Sequence, residues 1–178
     1  MSRILFTEEQ RLNILWVKIL MGVIWLGIFV LFGFAFYNQI ALGKPFGDKP
    51  VSNIGLISIF IVIVLQMGGV TLLLYYTRLI MEIRDDGIYY RYPPFMNRFK
   101  RVDPLQIKEY SVIRYQPLKD FGGWGIKTGS KKFGRGYTIS GNMGLLIVFN
   151  DGKKVLIGTQ RPDAMKKGMD RMMNRTID

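Results

Sequence analysis

Two long apolar runs, Ile14 to Tyr37 and Ile54 to Tyr76, fill most of the first 76 residues. The second run has no charged side chain, and the first has only Lys18, which lies near its start and can reach back to the headgroups. A helix of this length extends roughly 34 Å or more, enough to cross a hydrocarbon core of about 30 Å. Backbone groups in lipid need partners within their own segment. The pattern therefore predicts a hairpin of membrane-spanning helices over about 14–37 and 54–76.

From Leu79 onward the pattern changes to short alternating runs, which is typical of antiparallel β-sheet. Two hairpins are predicted, because Asp85-Asp86-Gly87 and Asn150-Asp151-Gly152 each separate two apolar runs and Asp-Gly suits a tight turn. Weaker strands are predicted at RFKRV, IKEYSVIRY, GWGIK and RGYTIS. The count is about seven or eight strands.

The last segment, RPDAMKKGMDRMMNRTID, carries methionines at helical spacing. Pro162 suits the first turn of a helix, and Thr159 can cap its start. The sequence thus predicts a C-terminal amphipathic helix. We expect its apolar stripe to pack against the sheet rather than to form a partner surface.

These elements divide the chain into a transmembrane hairpin over residues 1–77 and one small domain over 78–178. Basic residues beside the helices outnumber those of the connecting loop, so the positive-inside rule predicts that both termini are cytoplasmic. The flanking residues are Arg3, Arg11, Lys18, Arg78, Arg84 and Arg91, against Lys44 and Lys49 in the loop. The apolar part of the first helix is longer than that of a signal peptide, so we expect it to be retained. The predicted location is the inner (cytoplasmic) cell membrane, as a multi-pass protein.

Charge and composition narrow the chemistry. The formal net charge is +12, and from Arg78 onward 20 basic residues face 10 acidic ones. A basic domain beside an anionic leaflet is attracted to it, so anionic lipid is a possible partner. Nucleic acid is not expected, because no recognition motif accompanies the charge.

The chain has no cysteine and no histidine, which excludes disulfides, thiolate chemistry and imidazole bases. Most aspartates lie beside Gly or Pro, where turn hydrogen bonds explain them. We therefore expect no enzyme activity, no cofactor and no metal.

The strand and helix pattern resembles bacterial membrane-anchored proteins with a pleckstrin-homology-like (PH-like) domain. The resemblance covers roughly Leu79 to Asn174 and is carried by MEIRDDGIYYRY, DPLQIKEY, FGGWGIK, GYTISGNMGLLIVFNDGKKVLIGTQ and RPDAM. It implies an α+β membrane protein: a two-helix hairpin followed by a bent antiparallel β-sheet or barrel of about seven strands with a C-terminal helix. It implies no reaction or substrate, since the similar proteins are largely uncharacterised. The Asp85-Asp86-Gly87 turn stands where phosphoinositide-binding PH domains carry basic residues, which argues against that ligand.

The segment from Phe121 to Tyr137 combines six glycines with basic and aromatic residues and is the predicted interaction surface. Glycine lets backbone N–H groups converge on an anion, while Lys, Arg and aromatic rings suit lipid headgroups or a protein partner. Its candidate residues are Trp124, Lys127, Lys131, Lys132, Phe133 and Arg135. The alternative is a solvated hairpin in which Trp124 and Tyr137 only pack the domain.

In the second apolar run, Gln66, Gly68 and Gly69 interrupt an aliphatic sequence. Small residues let helices approach closely, and a glutamine can hydrogen-bond across an interface. These three residues are candidates for packing against the first helix or against another subunit.

Together these features predict a membrane-anchored, non-enzymatic interaction or scaffold module that binds a protein partner, the anionic membrane surface, or both. The alternative is a self-associating subunit of a homo-oligomeric membrane assembly, such as a small channel or transporter accessory.

Overall fold

The computed structural model describes residues 2–177, with side chains up to Asn174. The chain divides into two compact units. Residues 13–75 form the helical unit, while residues 2–12 join residues 76–177 in the β-rich unit.

The helical unit contains α1 (Leu15–Phe36) and α2 (Asn53–Tyr76), with a π-helical segment, Tyr37–Ala41, after α1. The two predicted apolar helices are thus present, and both are long and apolar enough to span a membrane. Their exteriors are mostly uncovered: in the most apolar window of each helix, only 11% and 6% of residues are buried. The apolar surface of each helix is therefore far larger than their mutual contact covers.

Four strands form the first sheet, in the order β1-β2-β3-β4, with every neighbouring pair antiparallel. The predicted turn at Asp85-Asp86-Gly87 joins β2 to β3, and glycine is needed there because φ is +150° at Gly87. The strands are β1 (Ile4–Arg11), β2 (Arg78–Arg84), β3 (Gly87–Tyr92) and β4 (Met96–Val102).

Strand β1 was not predicted, and it changes the boundary between the units. The sequence interpretation assigned residues 1–77 to the hairpin, whereas β1 precedes α1 in the chain yet pairs with β2 along its whole length. The β-rich unit is therefore built from both sides of the helical hairpin.

Five strands form the second sheet, in the order β5-β8-β9-β7-β6. The predicted hairpin through Asp151 joins β8 to β9, but β9 also pairs with β7, and that pair is parallel. A short helix, α3 (Pro117–Phe121), precedes β6. The strands are β5 (Ile107–Arg114), β6 (Gly125–Thr128), β7 (Arg135–Thr138), β8 (Met143–Phe149) and β9 (Lys154–Thr159).

This arrangement corrects the predicted single bent sheet or barrel of about seven strands. The described residues form nine strands in two separate sheets, without barrel closure. The sheets are separate because β4 does not pair with β5, and the additional strand is β1. Within the second sheet, β9 lies between β8 and β7, so β7 does not pair with the strand that follows it.

The last helix, α4 (Pro162–Ile177), begins at the predicted proline. Met165, Met169 and Met172 are fully buried in a core that also contains residues of both sheets, so the apolar stripe does pack inward. Gly168 lets α4 approach β1, since a Cβ there would lie 2.9 Å from the Cβ of Phe6.

Candidate functional site

The glycines of the predicted interaction surface are explained mainly by packing. The Phe121 ring lies against Gly129 and Gly136, where an added Cβ would come within 2.5 Å of a ring carbon. Gly134 has φ +65°, and a side chain there would collide with the backbone carbonyl of Lys154. These three positions therefore need glycine for the β6–β7 hairpin to fold, with no ligand involved.

Phe133 is a core residue, which corrects its assignment to the interaction surface. Its ring is only 3% exposed and packs in a small cluster with Tyr115, Phe121 and Leu156. The hairpin turn folds back over this cluster, with the Phe133 N–H donating to Ser130 O. Tyr137, also in this segment, is 2% exposed.

Trp124 lies between the two predicted extremes of free surface and buried core. Its indole is half-buried, and Nε1 donates to Gly141 O at 2.9 Å, which ties the start of β6 to the loop after β7. Nearby, the exposed Lys127 donates from Nζ to Gly122 O at 2.9 Å. Trp124 thus has a fixed position with part of its ring accessible.

The remaining basic residues of the hairpin, Lys131, Lys132 and Arg135, are exposed. The ammonium of Lys132 lies 5.1 Å from the centre of the Phe133 ring. Lys131 and Arg135 border a cavity of about 530 Å³. Of the four predicted cations, Lys131 and Arg135 thus border this cavity, whereas Lys127 and Lys132 do not line it.

Three lysines that sequence reasoning missed also line this cavity. Lys100 comes from β4, Lys153 from the β8–β9 turn and Lys154 from the start of β9. The cavity thus gathers five basic side chains from distant parts of the chain, and no carboxylate is among its described lining residues.

Strand register accounts for the convergence. Lys100 lies directly opposite Tyr90 in the β3–β4 pair, and opposite residues share a face of the sheet. In β7, Arg135 and Tyr137 share a face because side chains alternate. The Tyr90 and Tyr137 rings meet edge to face at 4.9 Å.

The two tyrosines form the floor of the cavity, and two cations lie beside them. The Arg135 guanidinium and the Lys100 ammonium are 5.6 and 6.0 Å from the centre of the Tyr137 ring. Burial raises the pKa of Tyr90 well above its usual range, and the neighbouring Tyr137 adds to this shift, although Arg135 opposes it. Tyr90 is therefore a protonated hydroxyl at neutral pH.

Of the five cations, Lys153 has an anionic partner. Its ammonium lies 2.6 Å from Asp151 Oδ2 in an exposed pair. The hydrogen bond from Lys153 lowers the pKa of the Asp151 carboxyl. The pair leaves Lys153 partly neutralised.

Turn aspartates are occupied by local hydrogen bonds. Asp103 accepts from Leu105 N at 3.0 Å, and Asp120 accepts from Gln116 N at 2.7 Å. Across the described residues, no group of three His, Cys, Asp or Glu residues is placed to hold a metal ion.

Comparison with known proteins identifies a family. A family model matches residues 2–174, which spans both the helical and the β-rich unit. The chain belongs to the family of unknown function DUF6141. Neither the curated proteins nor the solved structures give a match. The DUF6141 match begins before β1 and extends into α4, so the family relationship covers the two halves of the β-rich unit and the hairpin between them.

In the helical unit of this DUF6141 chain, Gln66, Gly68 and Gly69 do not mediate the contact between α1 and α2. A Cβ on either glycine would meet no atom within 4 Å, and Gln66 is exposed. The helices instead meet through a hydrogen bond of 3.1 Å from Trp25 Nε1 to Thr71 Oγ1 and through an aromatic cluster. The members of that cluster include Phe29, Phe32, Phe36 and Phe60. The sequence offered two packing partners for Gly68 and Gly69, the first helix and another subunit. The open space around both glycines excludes packing against the first helix.

Proposed function

We propose that this DUF6141 chain is a membrane-anchored, non-enzymatic interaction module of the inner cell membrane. Its helical hairpin crosses the bilayer twice, both termini are cytoplasmic, and the basic β-rich unit binds a protein partner, the anionic lipid surface, or both. The observation that carries the proposal is the uncovered apolar surface of α1 and α2.

The exposed side chains of these helices are large and numerous. Leu26 is 64% exposed and Leu65 is 69% exposed. Most of the large apolar side chains near them on the two helices are exposed to a similar extent. Leaving such a side chain in water rather than burying it costs about 1.5–3 kcal/mol. A helix that is hydrophobic all round needs lipid or protein around it, and a bilayer supplies that environment for its whole length.

Strand pairing supports a common side for the two ends of the hairpin. β1 ends at Arg11 shortly before α1 begins, and β2 begins at Arg78 directly after α2 ends. Arg11 and Arg78 are partners in the β1–β2 pair. An open sheet cannot lie in the hydrocarbon region, so both helix ends that leave this sheet belong on one side of the membrane. The positive-inside rule makes that side cytoplasmic.

The PH-like assignment also belongs to this proposal. Its support is a mostly antiparallel pair of sheets with one helix at the C-terminal end, in a chain with membrane-type helices. β1 and the parallel β7–β9 pair depart from the predicted form.

The proposed interaction surface is the β6–β7 hairpin. It presents Lys127, Lys131, Lys132 and Arg135 beside the half-exposed Trp124. Such a combination suits an acidic protein surface or the headgroup layer, because a tryptophan ring contributes apolar contact while cations attract negative charge.

Self-association is the second candidate, and Gln66 favours it. This amide is exposed on α2. In lipid, an amide gains from a hydrogen bond to another helix, and the open surface at Gly68 and Gly69 would let a second copy approach closely.

The test is site-specific photo-crosslinking of the full chain in its native membrane. A crosslinker replaces Lys132 on the hairpin in one variant and Lys108 on β5 in a control; both positions are exposed. We expect a specific adduct from position 132, and we expect it to disappear when Trp124→Ala and Lys131→Glu are added.

Adducts to a defined protein or to lipid support the interaction module. Equal adducts from both positions would contradict a role for this surface. Self-adducts that persist in the Trp124→Ala, Lys131→Glu background and are lost with Gln66→Leu would favour the homo-oligomer.

A further inference from the structure

We infer that the basic cavity between the two sheets is a binding site for a phosphate-bearing ligand with at least two negative charges. The ligand is either a soluble phosphate compound or a phosphorylated lipid headgroup. This goes beyond the proposed function, because it assigns a ligand to a cavity rather than a partner to a surface.

Charge is the first argument. Five cations border one cavity, and within the described part of the chain Lys100, Lys131, Arg135 and Lys154 form no salt bridge. Like charges held near one another repel, and a multivalent anion among them replaces repulsion with attraction. A phosphate group suits this set because arginine and lysine bind its oxygens through short, charge-assisted hydrogen bonds.

Shape is the second argument. The cations border an open, concave cavity of about 530 Å³, within the size range of small-molecule sites. Lys154 is half-buried, and the floor is formed by the buried Tyr90 and Tyr137. A ligand there loses part of its water shell, which strengthens its interaction with the surrounding charges.

The floor also supplies hydrogen-bond donors. Tyr90 and Tyr137 both line the cavity, and their rings meet edge to face at 4.9 Å. Each tyrosine hydroxyl carries one proton that it can donate to a ligand oxygen. The site therefore combines cations at its rim with a neutral donor at its base.

The site shares Lys131 and Arg135 with the predicted interaction surface. The Asp85-Asp86-Gly87 turn does not line the cavity. Gly134 does line it, but its role is to let the hairpin turn lie against Lys154. Binding is thus assigned to side chains of four separate segments, one of which is the glycine-rich β6–β7 hairpin.

The experiment is calorimetric titration of the full chain, held in phosphatidylcholine nanodiscs, with inorganic pyrophosphate. We expect saturable binding that weakens with salt. Lys131→Gln with Arg135→Gln should weaken it about tenfold or more, because two charge-assisted hydrogen bonds are lost. Lys108→Gln with Arg114→Gln removes the same charge from β5, away from the cavity, and should leave the affinity nearly unchanged.

Lys100→Gln provides an independent variant from the other sheet and should weaken binding as well. Circular dichroism and the melting temperature of each variant verify that it is folded. No saturable binding by the wild type, or equal weakening by the cavity pair and the β5 pair, would overturn the inference.

A second nanodisc that contains phosphatidic acid distinguishes the two sources of phosphate. If the headgroup enters the cavity, the lipid competes and the apparent affinity for pyrophosphate falls, and Lys131→Gln with Arg135→Gln abolishes this competition. If the ligand is soluble, pyrophosphate binds equally in both discs. Either result supports the site.

A loss of membrane insertion would instead appear as failure to assemble into nanodiscs, which tests the anchor and not the cavity.

Discussion

At the residue scale, the most informative position is Glu8. Its side chain is 6% exposed, and its carboxylate accepts hydrogen bonds from Thr159 Oγ1 at 2.6 Å and from Gln160 N at 2.7 Å. Next to it in β1, Gln10 donates from Nε2 to Gly158 O at 2.7 Å. These polar side chains therefore join the first sheet to the end of β9 in the second.

Replacing Glu8 by glutamine should destabilise the β-rich unit. In glutamine one carboxylate oxygen is replaced by an NH₂ donor, so if the amide oxygen keeps Gln160 N, the Thr159 hydroxyl must change from donor to acceptor and its proton loses the carboxylate acceptor. We expect a loss of about 1–3 kcal/mol in the free energy of unfolding, the usual cost of an unsatisfied buried partner. Hydrogen–deuterium exchange of β1 and β9 amides measures this loss.

Glu9→Gln is the matched control, because the neighbouring Glu9 is exposed and pairs with Arg11 and Arg78 at the surface. Such pairs contribute about 0–1 kcal/mol. If the β1 and β9 amides are equally protected from exchange in Glu8→Gln and Glu9→Gln, the Glu8 hydrogen bonds do not stabilise the unit.

Single residues were predictable to different extents. Asp85-Asp86-Gly87 and Pro162 act locally, so their turn and helix roles could be predicted from the sequence. Phe133 could not be placed, because its burial depends on Tyr115 and Leu156, which come from other segments.

At the element scale, β1 shows why a strand can escape sequence analysis. Its inward positions are Phe6, Glu8 and Gln10, so two of its three buried side chains are polar. Apolar–polar alternation is then absent although the backbone is extended. Only the hydrogen bonds to residues 158–160 make these side chains suitable for the interior.

The basic cavity could not be predicted as a whole either, because it depends on how the strands pair. Lys131 and Arg135 lie in a segment that could be selected from its composition. Lys100 lies in the predicted strand RFKRV, but its position opposite Tyr90 was not predicted. Lys154 could not be added, because it enters through the parallel β7–β9 pair, whereas alternating runs suggest antiparallel neighbours.

The contact between α4 and β1 gives a prediction for these elements. Alanine in place of glycine usually stabilises a helix by about 1 kcal/mol. At Gly168 the new Cβ would lie 2.9 Å from the Cβ of Phe6, so α4 or β1 must move, and overpacking of this kind costs about 1–3 kcal/mol. We expect Gly168→Ala to lower the melting temperature of the β-rich unit.

Lys166→Ala is the control for Gly168→Ala, since Lys166 is exposed on the same helix. It should leave the melting temperature nearly unchanged. A Gly168→Ala variant that melts above the wild type would mean that α4 and β1 are not in close contact.

At the scale of the whole molecule, the hairpin is an insertion within the β-rich unit. The unit needs residues from before α1 and after α2, and the β1–β2 pair closes it. The length and apolar character of the helices were predictable from composition alone. The closure of the β-rich unit by β1 could not be predicted, because most of the buried residues of β1 are polar.

The central claim is that the hairpin crosses the membrane and that its two ends lie on the cytoplasmic side. The absence of cysteine from the chain allows a direct measurement with single-cysteine variants and a membrane-impermeant maleimide. Lys44→Cys lies in the loop between the helices, while Thr7→Cys on β1 and Lys166→Cys on α4 are exposed positions of the β-rich unit.

The account predicts that intact cells label position 44, and that positions 7 and 166 label only after the membrane is permeabilised. Labelling of position 7 or 166 in intact cells, or protection of position 44 until permeabilisation, would contradict it.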